Sequence, residues 1–277
     1  MTLAPLIKLN DGYSIPQVGL GTWPLDDDQA ATAVVQAVEA GYRHIDTAEK
    51  YGNERGVGNG IRATGVDRGE LFITTKLDGQ FQGADRALEG LEGCLKRLGL
   101  DYVDLLLIHW PLPARDEYIS TWKTFERLQA EGKVRSIGVS NFKPAHLERL
   151  MAQTGVVPAV NQIQLTPAVT RTAEREFHEK HGIVTESYSP LGGSGAGLLT
   201  APILTQLAEK HGKTPGQLVL RWHIQHGLVT IPKTANPDRM RENLDIFDFA
   251  LDPQDLAELS ILDEGPDAGH DSDVTGH

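Results

Sequence analysis

Short β-type runs alternate with amphipathic helical stretches eight times along the 277 residues, with no linker-like break. A hairpin, LIKL–NDG–YSIP, precedes the first run, Val18 to Thr22. Further strands are read at HIDTA (44–48), LFITTKL (71–77), VDLLLIHW (103–110), VRSIGVS (134–140), AVNQIQL (159–165), IVTESYSPL (183–191) and LVTIPKT (228–234). In the helical stretch ALEGLEGCLKRLG, Leu88, Leu91, Leu95 and Leu98 recur at spacings of three and four and draw one apolar stripe. Several strands are near-continuous apolar runs, as parallel strands covered by helices should be. Eight β-then-α units suit a closed (β/α)8 TIM barrel, with an N-terminal β-hairpin and extra helices, better than an open doubly wound sheet. The open sheet lacks its phosphate signature: Gly56-Val57-Gly58 follows a polar loop, and the Gly-rich run 192–197 is not GxGxxG. We read residues 1–277 as one domain, with a polar tail, 263–277, expected to be mobile.

Composition then removes whole classes of function. Lys and Arg total 26 against 38 Asp and Glu, a formal charge of −12, which phosphate backbones would repel; nucleic acid is not an expected partner. The single cysteine, Cys94, excludes an intrachain disulfide and a Cys-based zinc site and fits a reducing compartment. The start shows no basic segment followed by an apolar one, and the most apolar stretch, Val103 to Trp110, contains Asp104 and is too short for a bilayer. A cytoplasmic protein with no membrane partner is expected. His178/His181 and His223/His226 sit at i, i+3, but neither pair is HExxH and no third ligand is evident, so no metal is expected.

In such a barrel the active site lies at the C-terminal ends of the strands. Strand two ends with Asp46, strand three with Lys76 and strand four with His109; neighbouring strands lie about 4.8 Å apart, so these side chains can converge. Tyr51 follows five residues after Asp46, in the loop leaving the same rim. Taken singly, each has a bland explanation: a rim ion pair, a satisfied histidine, a packed tyrosine. Together they make a proton-transfer set. The Lys76 ammonium is expected to lower the phenol of Tyr51 from its usual value near 10, and Asp46 to keep Lys76 charged. His109 can donate a hydrogen bond to a carbonyl oxygen.

The motifs GYRHIDTA with YGNE, FITTKL, VDLLLIHWP, RSIGVSNF, PAVNQIQL, YSPLG and IPKT followed by Arg239 and Glu242-Asn243 closely resemble the aldo-keto reductases of the bacterial 2,5-diketo-D-gluconic acid reductase type. The resemblance covers nearly the whole chain. It implies a catalytic tetrad of Asp46, Tyr51, Lys76 and His109, with Tyr51 as the general acid, and hydride taken from NADPH, the cofactor returning as NADP+. It further implies that Ser140, Asn141 and Gln162 hold the nicotinamide carboxamide and that Tyr188 stacks on its ring. Ser189 and Leu191 would contact the pyrophosphate side, and Ile231, Lys233, Thr234, Ala235, Arg239, Glu242 and Asn243 the adenosine end. Lys233, Arg239 and Arg241 form a basic group near a helix N-terminus, which suits a 2′-phosphate. Trp23, His109 and Trp110 would border a small carbonyl substrate: an aldehyde, ketone, α-dicarbonyl or keto-sugar. Relatives of this length are often monomers, and a monomer is expected. The sequence departs from the family pattern at Asp78, Gln164 and Thr166, all in the substrate region. Two rival readings on the same fold are a cofactor-sensing module with slight turnover and a metal-dependent hydrolase.

Overall fold

A computed structural model describes residues 3–193 and 197–276; residues 194–196 of the Gly-rich run lie outside the described residues. The hairpin pairs β1 (Leu6–Lys8) antiparallel with β2 (Ser14–Pro16). After it come β3 (Leu20–Gly21), α1 (Asp27–Ala40), β4 (His44–Asp46), α2 (Glu54–Thr64), β5 (Phe72–Leu77), α3 (Ala84–Leu98), β6 (Val103–Ile108) and α4 (Tyr118–Ala130). The second half runs β7 (Val134–Ser140), α5 (Pro144–Gln153), β8 (Val160–Gln164), α6 (Thr172–His181), β9 (Val184–Tyr188), α7 (Pro202–His211), α8 (Pro215–Gln225), β10 (Val229–Thr230), α9 (Pro237–Leu244) and α10 (Pro253–Leu259).

Strands β3 to β10 are all parallel and neighbour one another in sequence order. The ends meet where Val18 bridges Thr230: Thr230 N–H donates to the Gln17 carbonyl and Gly19 N–H to the Thr230 carbonyl, both at 2.9 Å. The expected (β/α)8 barrel is therefore closed. Every barrel strand except β7 is shorter than the sequence suggests, and the first and last are reduced to two residues each. The first run contributes Leu20–Gly21 plus the Val18 bridge, and the last keeps only Val229–Thr230, since Pro232 has no N–H to extend a ladder.

Side-chain alternation explains why the strands read as apolar on both faces. On β5, Ile73 and Leu77 pack outward with Leu91, Leu106 and Ile108 beneath the helices, while Phe72 turns inward with Leu105, Leu107, Val160 and Val229. Leu9 and Ile15 of the hairpin segment join that inner cluster and close the barrel's N-terminal end. One step towards the C-terminal end, the inward positions change from apolar to polar: Asp46, Lys76, Gln162 and Glu186 are all buried there. Asp104, the one charge in β6, sits at the start of its strand. It accepts from Arg68 at 2.6 Å, Arg135 at 2.9 Å and the backbone N–H of Ile73 at 2.8 Å. Cys94 is buried on the apolar stripe of α3, where burial holds its thiol well above the usual range.

The helices start and stop where the sequence provides partners. Asp26 and Gln29 form a reciprocal capping box on α1, and Gly41 ends it in the left-handed region at φ 115°. No helix among the described residues is long and apolar enough to cross a membrane.

Candidate active site

Adjacent strand ends bring the predicted tetrad together. Lys76 is fully buried, and its ammonium has three acceptors: Asp46 Oδ1 at 2.6 Å, the Thr47 carbonyl at 3.0 Å and Tyr51 Oη at 3.3 Å. Tyr51 reaches this point from a short 3-10 turn, Glu49–Tyr51, that leaves β4 and lifts the phenol over the barrel mouth. Its ring packs against exposed Trp23, with centroids 5.2 Å apart, and meets His109 edge-on at 5.9 Å. His109 follows directly on β6, its backbone N–H donating to the Leu77 carbonyl at 3.1 Å.

Electrostatics corrects one expectation. Burial raises the pKa of Tyr51, and the neighbouring Lys76 charge pulls it down by less, so the phenol ends above its usual value rather than below it. The effect of Lys76 has the expected sign but is outweighed by desolvation. Burial works against the charge on Lys76 too, yet Asp46 and Tyr51 more than offset it, and its pKa is raised. Asp46 is raised by burial, with Lys76 and Gln162 acting in the opposite direction. At neutral pH the arrangement is a protonated phenol in contact with an ammonium.

The predicted cofactor residues fall into two groups. Ser140, Asn141, Gln162, Tyr188, Ser189, Leu191, Ile231 and Lys233 line one cavity of about 760 Å³ together with Trp23, Asp46, Tyr51, His109 and Trp110. They are tied to one another. Ser140 Oγ donates to the Gln162 carbonyl at 2.8 Å, Asn141 Nδ2 to the His109 carbonyl at 3.1 Å, and Tyr188 Oη to Asn141 Oδ1 at 3.0 Å. Asn141 and Ser189 both hold left-handed backbone, φ 63° and 48°, just past β7 and at the end of β9. Such conformations concentrate at functional sites.

Thr234, Ala235, Arg239, Glu242 and Asn243 lie outside that lining, in the segment that continues from Lys233 through α9. Asn236 caps this helix, accepting from Asp238 and Arg239 N–H, and Thr234 Oγ1 accepts from Asn236 N–H at 3.0 Å. Glu242 Oε1 accepts from Thr214 Oγ1, and Asn243 is buried beside Tyr42. The expected basic group, Lys233, Arg239 and Arg241, is exposed, and Arg241 also pairs with Asp238 at 2.9 Å.

Several cavity residues escaped the sequence reading. Lys50 and His270 line it, and Gln164, noted only as a departure, does so too. Asp78 stands behind Lys50, its carboxylate 3.8 Å from the ammonium. Thr166 is a turn former: its Oγ1 accepts from the N–H groups of Ala168 and Val169, both at 3.1 Å. The tail runs along the same rim. His270 N–H donates to Gln164 Oε1 at 3.0 Å, and its ring meets Trp110 edge-on at 6.3 Å. Lys143 contacts Asp271 and Asp273 at 2.5 and 2.6 Å. The paired histidines serve packing. His178 bonds Asn161 and Thr185, and His223 bonds Ser187 and the Val219 carbonyl.

Known proteins match this arrangement across nearly all of the chain. The model of the Aldo/keto reductase family matches residues 17–264. An aldo-keto reductase of Mycobacterium sp. (strain KMS) is 50% identical over 268 residues, covering 97% of this chain and 96% of its own. Methylglyoxal reductase DkgA of Escherichia coli (strain K12) is 47% identical over 271 residues, covering 98% of each chain. Among solved structures, a point mutant of Gox0644 in complex with NADPH superposes with a TM-score of 0.94 at 45% identity, covering all of both chains. This chain belongs to the aldo/keto reductase family.

Proposed function

We propose that the protein reduces aldehydes and ketones, among them small α-dicarbonyls and keto-sugars, to alcohols, with NADPH as the hydride source and Tyr51 as the proton donor. The observation that carries this reading is the Asp46–Lys76–Tyr51 contact chain beside a cavity of about 760 Å³ that Asp46 and Tyr51 line. Relatives that reduce carbonyls, and a neighbour that holds NADPH, support it.

The residues present fit a dinucleotide. Amide and aromatic groups of Asn141, Gln162 and Tyr188 lie near the tetrad, and the lining continues past the left-handed turn at Ser189 to a lysine, Lys233. Gln162 Nε2 is committed to two carboxyl groups, so its carbonyl oxygen is the end available to the nicotinamide carboxamide. Bound NADPH supplies the hydride. The chain does the rest: His109 donates a hydrogen bond to the substrate oxygen and orients it, and Tyr51 Oη passes its proton to that oxygen as the alcohol forms. The phenolate left behind rests against Lys76, whose charge Asp46 maintains, until a solvent proton restores it. Trp23 and Trp110, both in the cavity lining, would border the substrate.

The test is NADPH consumption against a panel of small aldehydes, α-dicarbonyls and keto-sugar acids, comparing wild type with Tyr51→Phe. Loss of proton donation is expected to lower kcat by about 10²–10⁴-fold. Tight NADPH binding without turnover on any carbonyl would favour a cofactor-sensing role instead.

A further inference from the structure

Below the tetrad lies a second carboxyl group that the reaction above does not use. Glu186 sits on β9, fully buried, in register with Gln162 of β8 and Val229 of β10. Gln162 Nε2 donates one hydrogen to Asp46 Oδ2 and the other to Glu186 Oε2, each at 2.9 Å. Two carboxyl groups therefore share one amide. The ammonium of Lys76 rests on Asp46, at 2.6 Å. The group facing the other oxygen of Glu186 is His44, with Nε2 at 3.6 Å from Oε1. Burial lowers that imidazole to about 3, so it is neutral in ordinary buffers, and it bonds Thr74 Oγ1 at 3.1 Å. Tyr51 is the remaining titratable group whose charge couples to Glu186. One cation is thus provided for two buried carboxyls, and a low-dielectric interior does not hold the second as an anion without cost.

We propose that Glu186 is a positioning residue of the proton-transfer network: as the neutral acid it fixes Gln162, and through Gln162 the carboxylate of Asp46, and its ionisation weakens the tetrad from below. Burial, and after it the charge of Asp46, pushes Glu186 up to about 8. When the proton leaves, a second anion faces Asp46, Lys76 and Tyr51. The Tyr51 phenol becomes a weaker acid, and proton donation to the substrate slows. The proposal rests on Tyr51 being the donor, as argued above.

The experiment compares the pH dependence of kcat in wild type and Glu186→Gln, together with an infrared titration of the wild-type carboxyl groups. Wild-type kcat is expected to fall about three- to tenfold as pH rises through 8, the effect of roughly one unit in the phenol's pKa. Glu186→Gln should lack that fall. In the infrared spectrum, a protonated carboxyl band at neutral pH should vanish over the same range. Identical pH profiles in the two proteins would overturn the proposal. So would a wild-type spectrum with no carboxyl titrating in that range, a result that stands even if the variant does not fold. Retained turnover in Tyr51→Phe would instead overturn the reductase mechanism, so the two failures are told apart.

Discussion

A buried lysine keeps its proton only through what it touches, and Lys76 touches a carboxylate, a carbonyl and a phenol. The same balance, one cation against two carboxyls, decides the state of Glu186. Its folded pKa, about 8, lies above the ordinary carboxylate value, so the folded chain retains a proton that the unfolded chain releases. The contribution to stability is full below the ordinary carboxylate range and is lost as pH rises through the folded value. Glu186→Gln is free of that loss. Its melting temperature relative to wild type is therefore expected to be higher at about pH 9 than at about pH 5, and an equal difference at both would contradict this. Beyond the cavity lining, on α9, Arg239→Ala should weaken NADPH by about tenfold or more, the size of a charge-assisted phosphate contact, and NADH much less. Fluorescence titration with both cofactors decides it; equal losses would remove Arg239 from the 2′-phosphate.

Helix contacts explain glycines that resemble a phosphate motif. A Cβ on Gly56 would lie 2.0 Å from the Asp27 carbonyl oxygen, and one on Gly58 would lie 2.1 Å from that of Leu98. Gly56-Val57-Gly58 thus allows α2 to pack closely on the start of α1 and the end of α3. Gly56→Ala is expected to lower stability by about 1–3 kcal/mol, as overpacking does. Urea denaturation would measure it, and a change within about 0.5 kcal/mol would show that the helices can part freely. The stripe of α3 was legible because its leucines follow the helical period, and Leu91 and Leu98 are fully buried. Helix α10 does not stand out in the sequence, although Asp252 and Asp255 form a capping box around Pro253 at its first turn. Seven residues carry too little periodicity to stand out.

Closure of the barrel brings residues far apart in sequence to one rim, and the tail adds to them. His270 borders the cavity beside Trp110 and Gln164, held by Arg171 on its carbonyl at 2.8 Å and by the Lys143 contacts that follow. These ion pairs are partly exposed, each worth about 0–1 kcal/mol, so the tail's placement depends on several acting together. Removing residues 268–277 is expected to raise KM for the carbonyl about three- to tenfold while NADPH affinity changes by less than about twofold. An unchanged KM would mean that the tail does not border the substrate.

The barrel and its hairpin were already legible in the linear order of residues, which also sets Asp46, Tyr51, Lys76 and His109 at or just past neighbouring strand ends. Hydrophobic period and strand order are local properties, and in a barrel the end of a strand is already an address. The charge states were not legible in the same way. Whether Tyr51 is raised or lowered depends on how much water the fold removes, and the mere presence of Lys76 on the next strand does not reveal that. Glu186 reads as one acid in VTESY until β8 places Gln162 beside it and β4 brings Asp46 to the same amide. Burial and charge pairing sum over all neighbours in space, and a chain read residue by residue does not contain that sum.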